Sequence, residues 1–235
     1  MNQQSFQFQA IGQIHSCYKE KFAIPRQAGL VKTAMASIEL YPPYNHPDSL
    51  KGIDEISHLW ISFIFHEHLN YDFKNLVNPP RLNGEKKGVY ATRSPFRPNP
   101  LGLSVVKLER IRLENDTPYL EISGGDFLDK TPVVDIKPYI QYADIIKEAY
   151  DPYSLIKLPQ FKISFTDNAL LAIEKIKPSI PSIKEFILEL LAQDPRPIYT
   201  RKIKSHYSAK LYDYDLTWNI EGEDILVLDL LTIKD

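Results

Sequence analysis

Hydrophobic and polar positions divide the chain into two parts with different rhythms. Up to about residue 140 the apolar positions recur mostly every second residue, and 6–16, 37–40, 59–66, 105–113, 119–123 and 133–139 read as strands. The pattern pairs 105–113 with 119–123 through a turn at Asn115-Asp116. Residues 59–66, LWISFIFH, are apolar almost throughout, which predicts a strand buried on both faces. Residues 18–27, 41–45, 70–87 and 124–132 are loops, and 53–58 is a connector with at most one turn of helix. Many strands with long polar loops predict an antiparallel sheet or barrel. No GxGxxG follows the first strand, so a Rossmann fold is not indicated.

Beyond a linker at 142–158 the rhythm changes. A strand at 161–165 leads to Thr166, which can cap a helix running to about Ile176. Ser182 with Glu185 has the spacing of a capping box, and Ile183, Phe186, Ile187, Leu190 and Leu191 form the apolar stripe of a second helix. Asp194-Pro195-Arg196-Pro197 stops it. Tyr212, Tyr214, Leu216, Trp218 and Ile220 then alternate with polar residues, and 225–233 returns as the second arm of a hairpin. The expected organisation is a mainly β domain over 1–155 and a small α+β domain over 156–235.

Composition and charge narrow the function classes. Of the 235 residues 43% are hydrophobic and 25% charged, as in ordinary globular domains. No apolar run is long enough to cross a bilayer, and the first residues lack the basic flank and apolar stretch of a signal peptide, so the cytoplasm is expected and no membrane partner. Cys17 is the only cysteine, which excludes an internal disulfide and a cysteine-based zinc site. The net charge is −2, but residues 81–112 hold eight cations against two acids, and 195–210 hold five cations and no acid. Two local basic patches suit an anionic partner such as RNA, and equally suit two solvated faces.

One stretch cannot be ordinary core. Within ATRSPFRPNPLGLS, Pro95, Pro98 and Pro100 fall inside six residues; each fixes φ and removes a backbone donor. A stiff loop carrying Arg93 and Arg97 holds guanidinium forks with little entropy left to lose on binding. His66 and His68 end a buried strand and would face one side, where a third ligand such as Asp126 could complete a metal site; a satisfied polar strand end explains them as well. No HExxH, GxSxG or P-loop is present. Asp126 and Asp129 bracket a glycine-rich turn and could meet a cation or a ribose, or only their own backbone. Arg196, set between prolines, opens the second basic patch with Tyr199, His206 and Tyr207 interleaved, a mixture suited to base stacking and phosphate contact.

These stretches together resemble one family, the TrmO (TsaA-like or YaeB-like) tRNA methyltransferases. The likeness rests on YKEKFAIPRQ (18–27), SHLW (57–60), PPRL (79–82), 88–104, DFLDKTPVVDIKPY (126–139) and AQDPRP (192–197), and covers nearly the whole chain. The resemblance implies a single-sheet β-barrel that is not a Rossmann fold, a homodimer, and S-adenosylmethionine as cofactor. It implies methylation at N6 of threonylcarbamoyladenosine beside the anticodon, position 37, of certain tRNAs. By similarity Pro25, Arg26, Gln27, His66 and Glu67 are cofactor-loop positions, Glu67 through its main chain; with that cofactor, Arg26 and Arg97 are candidates for its carboxylate or for RNA phosphate, Asp126 and Asp129 for its amine, ribose or sulfonium, and Phe127 and Leu128 for the wall of its adenine. Arg97, Asn99, Asp194 and Arg196 are the catalytic candidates, without an obvious general base. Arg196, Tyr199, Arg201, Lys202 and Lys204 are the expected RNA contacts. The rival readings are a non-catalytic RNA-binding module and a metal-dependent hydrolase built on His66, His68 and Asp126.

Overall fold

The computed structural model describes residues 4–82, 84–115, 117–156, 160–196 and 205–233. The first part forms β1 (Gly12–Ser16), β2 (Met35–Leu40), β3 (His58–Ile64), two short strands β4 (Leu76–Val77) and β5 (Lys87–Gly88), then β6 (Leu101–Glu114), β7 (Thr117–Ser123) and β8 (Thr131–Pro138). Six of these close into a barrel in the order β1-β2-β7-β6-β3-β8, every ladder antiparallel, while β4 and β5 pair separately. Closure removes the exposed edges that a six-stranded open sheet would carry.

Inward residues obey the period of two. Ile14, Ile38, Ile61, Leu120, Ile122 and Val133 are fully enclosed. The strand β3 corrects one expectation. Only Leu59, Ile61 and Phe63 reach the core; Trp60 lies on the outer wall, half-buried, with its indole N–H donating to Asp144 Oδ2 at 3.1 Å. A half-polar outer face is normal for an antiparallel barrel, so the apolar run came from one covered tryptophan and not from a two-sided core. The β6–β7 hairpin forms as expected, with Asn115 at φ 49° in its turn.

After the one-turn helix α1 (Gln141–Asp144) come β9 (Lys162–Phe165), α2 (Asp167–Ile176) and α3 (Ile183–Ala192), then β10 (His206–Leu211), β11 (Tyr214–Glu221) and β12 (Asp224–Thr232). The second sheet runs β10-β11-β12-β9, with β9 parallel to β12. Thr166 caps α2 by accepting from the Ala169 N–H at 3.1 Å. Ser182 does not cap α3: its backbone, at φ −94° and ψ 16°, lacks the extended geometry a capping side chain needs. β10 is a further correction. Tyr207, Ala209 and Leu211 point inward, and Tyr207 is 2% exposed and stacked on Trp218, so it is core and no base-stacking surface.

The two parts share a clasp. The segment between β1 and β2 leaves the barrel and enters the second core, where Tyr18, Ala23 and Val31 pack with Phe186, Leu211 and Leu216. Tyr18 bridges Leu128 on one side and Leu211 on the other. Glu189 of α3 accepts from the Thr33 N–H at 3.0 Å and from its hydroxyl at 2.8 Å. Among the described residues no helix is long and apolar enough to cross a membrane.

Candidate active site at the barrel rim

Strand polarity gathers the unusual loops at one end. β1, β3 and β7 end there, and β2, β6 and β8 begin there, so the segments 17–34, 65–100 and 124–130 all project from the same rim. Local sequence explains how each is held. Gly124 sits at φ 76°, accepts from the Gly29 N–H at 2.8 Å and donates to the Ala34 carbonyl at 3.0 Å. Any side chain at Gly102 would put its Cβ 2.2 Å from the Phe63 ring, which fixes the start of β6 against the barrel core.

Arg93 and Asp126 are each tethered at this rim. Arg93 Nη1 donates to Gln27 Oε1 at 2.5 Å, tying the proline-rich loop to the segment that carries Pro25. The Ser104 hydroxyl donates to Asp126 Oδ1 at 2.7 Å. Burial pushes the Asp126 carboxyl above the usual carboxylate range; the Ser104 hydroxyl, its own backbone N–H, the Arg93 charge and the Ala28 N–H offset part of that. A sheltered carboxylate beside a tethered guanidinium offers a counter-charge for a cation and a fork for a carboxylate.

The other expected residues fall into three groups. Pro25 is buried, Gln27 is half-buried and Arg26 is exposed, all on the clasp segment. His66 and Glu67 open a short 3-10 turn after β3, and Lys21 reaches the Glu67 carboxylate at 3.5 Å and its carbonyl at 3.4 Å. Leu128 bridges Tyr18 and so also lies at the rim. Phe127, by contrast, points into the barrel core, 1% exposed and edge-on to Phe63 at 5.0 Å. Asp129 accepts from the Ser16 N–H at 2.8 Å and pairs with Lys19 at 3.0 Å, which closes the turn from within.

Arg97 is a brace. Its Nη1 donates to the carbonyls of Thr92 at 2.7 Å and Val89 at 3.3 Å, so its fork shapes the loop it stands on, whereas Arg93 reaches out of that loop to Gln27. Asn99 is exposed, and its carbonyl accepts from the Leu101 N–H at 2.7 Å. In the second domain Arg196 grips Asp194 with two bonds, at 2.6 and 3.2 Å, and lies 5.5 Å from the Phe161 ring centre. Asp194 is buried at φ 50°. Phosphate contact through Arg196 would require that pair to open. Tyr199, Arg201, Lys202 and Lys204 lie outside the described residues.

Four of the eight cations of the first basic patch are paired with acids, three of them on the barrel wall. Lys87 pairs with Glu85, Lys107 with Glu109, Arg110 with Glu121, and Arg112 with Glu114 and Glu121. Sequence counting missed this because the Glu114 and Glu121 partners lie beyond the counted window. Among the described residues no three histidine, cysteine or acidic side chains converge as a metal site, which leaves the hydrolase reading without a ligand set. A groove of about 240 Å³ lies at the domain junction, lined by His15, Lys19, Tyr212 and Asp213 among others; its lining leaves out Gln27, Arg93, Ser104 and Asp126. Ser104 itself was findable: it alternates inward with Gly102 and Val106, and a buried hydroxyl needs a partner.

Two family models match the chain, tRNA-methyltransferase O N-terminal domain over residues 13–145 and TrmO C-terminal domain over 159–233. The chain belongs to the TrmO family. Among similar TrmO-family sequences is the tRNA (adenine(37)-N6)-methyltransferase of Escherichia coli (strain K12), 43% identical over 234 residues, covering 96% of this chain and 98% of that one. A Pseudomonas aeruginosa PAO1 protein named "Putative S-adenosylmethionine-dependent methyltransferase RcsF" is 40% identical over 224 residues, covering 94% and 95%. The crystal structure of TrmO from Pseudomonas aeruginosa superposes with a TM-score of 0.79 at 35% identity, covering 97% of this chain and 98% of that one.

Proposed function

We propose that the chain is an S-adenosylmethionine-dependent tRNA methyltransferase that methylates N6 of threonylcarbamoyladenosine at position 37, next to the anticodon. The observation that carries the reading is the pairing of Arg93–Gln27 with Ser104–Asp126 at the rim of a TrmO-family barrel. S-adenosylmethionine, when bound, supplies an electrophilic methyl group on a sulfonium. The residues present fit that group. Asp126 supplies a sheltered negative charge for its cationic part, Arg93 a fork for its carboxylate, and the clasp segment with Pro25–Gln27 a wall tied down at both ends. Arg97 keeps the loop of Arg93 in shape.

The acceptor nitrogen carries a carbamoyl group, so its proton is more acidic than that of an amine. Alignment and exclusion of water, more than a strong base, are what the chain must provide. Work on tRNA puts the enzyme in the cytoplasm. Self-association into a homodimer is supported by the apolar surface of the interdomain segment, where Tyr142, Ile146 and Tyr150 are 94%, 68% and 78% exposed. The test is to incubate the purified protein with S-adenosylmethionine and tRNA that carries threonylcarbamoyladenosine, then digest and weigh the nucleosides. A methylated derivative of that nucleoside is expected; if it stays unmethylated while the protein binds the cofactor, the substrate assignment is wrong.

A further inference from the structure

The crossover between β3 and β6, together with Lys21 of the clasp segment, carries a run of rings and cations. Lys21 Nζ lies 5.8 Å from the centre of the Tyr71 ring, Tyr71 meets Phe96 edge-on at 5.7 Å, and Lys74 Nζ lies 4.1 Å from the centre of Phe96. Arg97 follows directly and lies 6.0 Å from the centre of Tyr90. His68 fills the angle between Tyr71 and Phe96, at 5.2 and 5.3 Å. Two cations thus flank a pair of rings, and a second cation–ring pair follows in the next residue of the loop.

The strip is held in place and open to solvent. The Lys74 N–H donates to the Phe96 carbonyl at 3.2 Å and the Val89 N–H to the Asn75 carbonyl at 3.0 Å, beside the β4–β5 ladder. Tyr71 is 57% exposed and Tyr90 is 75% exposed. Burial, then the neighbouring Lys21 charge, lowers the His68 pKa, so at neutral pH its ring is uncharged and adds to the aromatic surface. Two acids lie along the run: Glu67, which pairs with Lys21 at 3.5 Å, and the exposed Asp72.

A protein–protein patch is typically poor in lysine, and a metabolite site is concave. Exposed rings between cations are what an unpaired nucleotide requires: the ring takes the base face and the cation takes the phosphate. We infer that the strip from Lys21 through Tyr71 and Phe96 to Tyr90 is a stacking platform for unpaired nucleotides of the RNA substrate, flanking the base to be methylated. The inference rests on the tRNA reading above. It places RNA contact on the barrel crossover, in addition to the second domain.

The experiment measures fluorescence anisotropy of an RNA hairpin with an anticodon-sized loop, and of a fully paired duplex of the same composition, against the full chain. The variants are Tyr71→Ala, Tyr90→Ala, Tyr71→Phe and Tyr90→Phe; both tyrosines are exposed, so the fold is not at stake. Calorimetry with S-adenosylmethionine is run on the same samples. The hairpin is expected to bind more tightly than the duplex. Each alanine should weaken hairpin binding by roughly five- to a hundredfold, the fold-change matching about 1–3 kcal/mol of base stacking. Each phenylalanine should restore it, and cofactor affinity should not move. Alanine variants that keep hairpin affinity overturn the platform, whatever happens to their oligomeric state, and so do phenylalanine variants as weak as the alanines. A wild-type chain that binds the hairpin through these rings but never binds S-adenosylmethionine would instead sink the methyltransferase reading and leave the platform standing.

Discussion

A single buried carboxylate couples stability to function at the rim. Asp126 has its carboxyl pKa raised by burial, so its folded value lies above its unfolded one. Its contribution to stability is therefore present at low pH and lost as pH rises through the folded pKa, when the sheltered charge must be carried. Asp126→Asn keeps an acceptor for Ser104 and removes that charge. The free variant is expected to match the wild type at acid pH and to gain on it as pH rises, by on the order of 1 kcal/mol once the wild-type carboxyl must ionise. Calorimetry should show S-adenosylmethionine binding weakened about tenfold or more, the size of one charged hydrogen bond. A variant that is less stable at neutral pH yet binds the cofactor normally would contradict both halves. The two arginines separate in the same assay. Arg93→Ala should lower cofactor affinity more than Arg97→Ala, whose first effect is on the carbonyls of Thr92 and Val89.

At the level of elements, much was legible because pleat and helix periods are local. The β6–β7 hairpin, the Thr166 cap and the stripe of α3 follow from spacing alone. β10 also obeys the period of two, but its basic and aromatic composition pointed to RNA, and composition cannot tell an inward tyrosine from an outward one. The clasp was not legible. Tyr18 meets Leu211 across the length of the chain, and no local pattern encodes that contact. Nor could loop stiffness say which arginine reaches the clasp segment; that depended on where Gln27 arrives. Tyr18 is 1% exposed, and among the described residues its hydroxyl has no hydrogen-bond partner. Tyr18→Phe should therefore be neutral or slightly stabilising, while Tyr18→Ala should cost about 3–5 kcal/mol in urea unfolding. Gly102→Ala should cost about 1–3 kcal/mol, because the new methyl overlaps the enclosed Phe63 ring.

For the molecule as a whole, the second domain holds a segment of the first domain's rim. The clasp segment carries Pro25 and Gln27 at the rim, yet its hydrophobic residues lie in the second core, and Glu189 of α3 holds Thr33 by two hydrogen bonds. Order at the rim is therefore expected to depend on this docking. Glu189→Ala leaves every rim residue in place chemically and removes that tether. If the clasp then spends part of its time open, apparent cofactor affinity falls by the closed fraction, since only the closed form binds. A loss of roughly three- to tenfold is expected. Hydrogen exchange should rise across residues 17–34 while the amides of the barrel ladders keep their protection. Glu189→Gln, which retains an acceptor for the Thr33 hydroxyl and N–H, should recover most of both. Unchanged exchange in the clasp together with unchanged affinity would mean that the second domain only rests against the barrel and does not shape the rim.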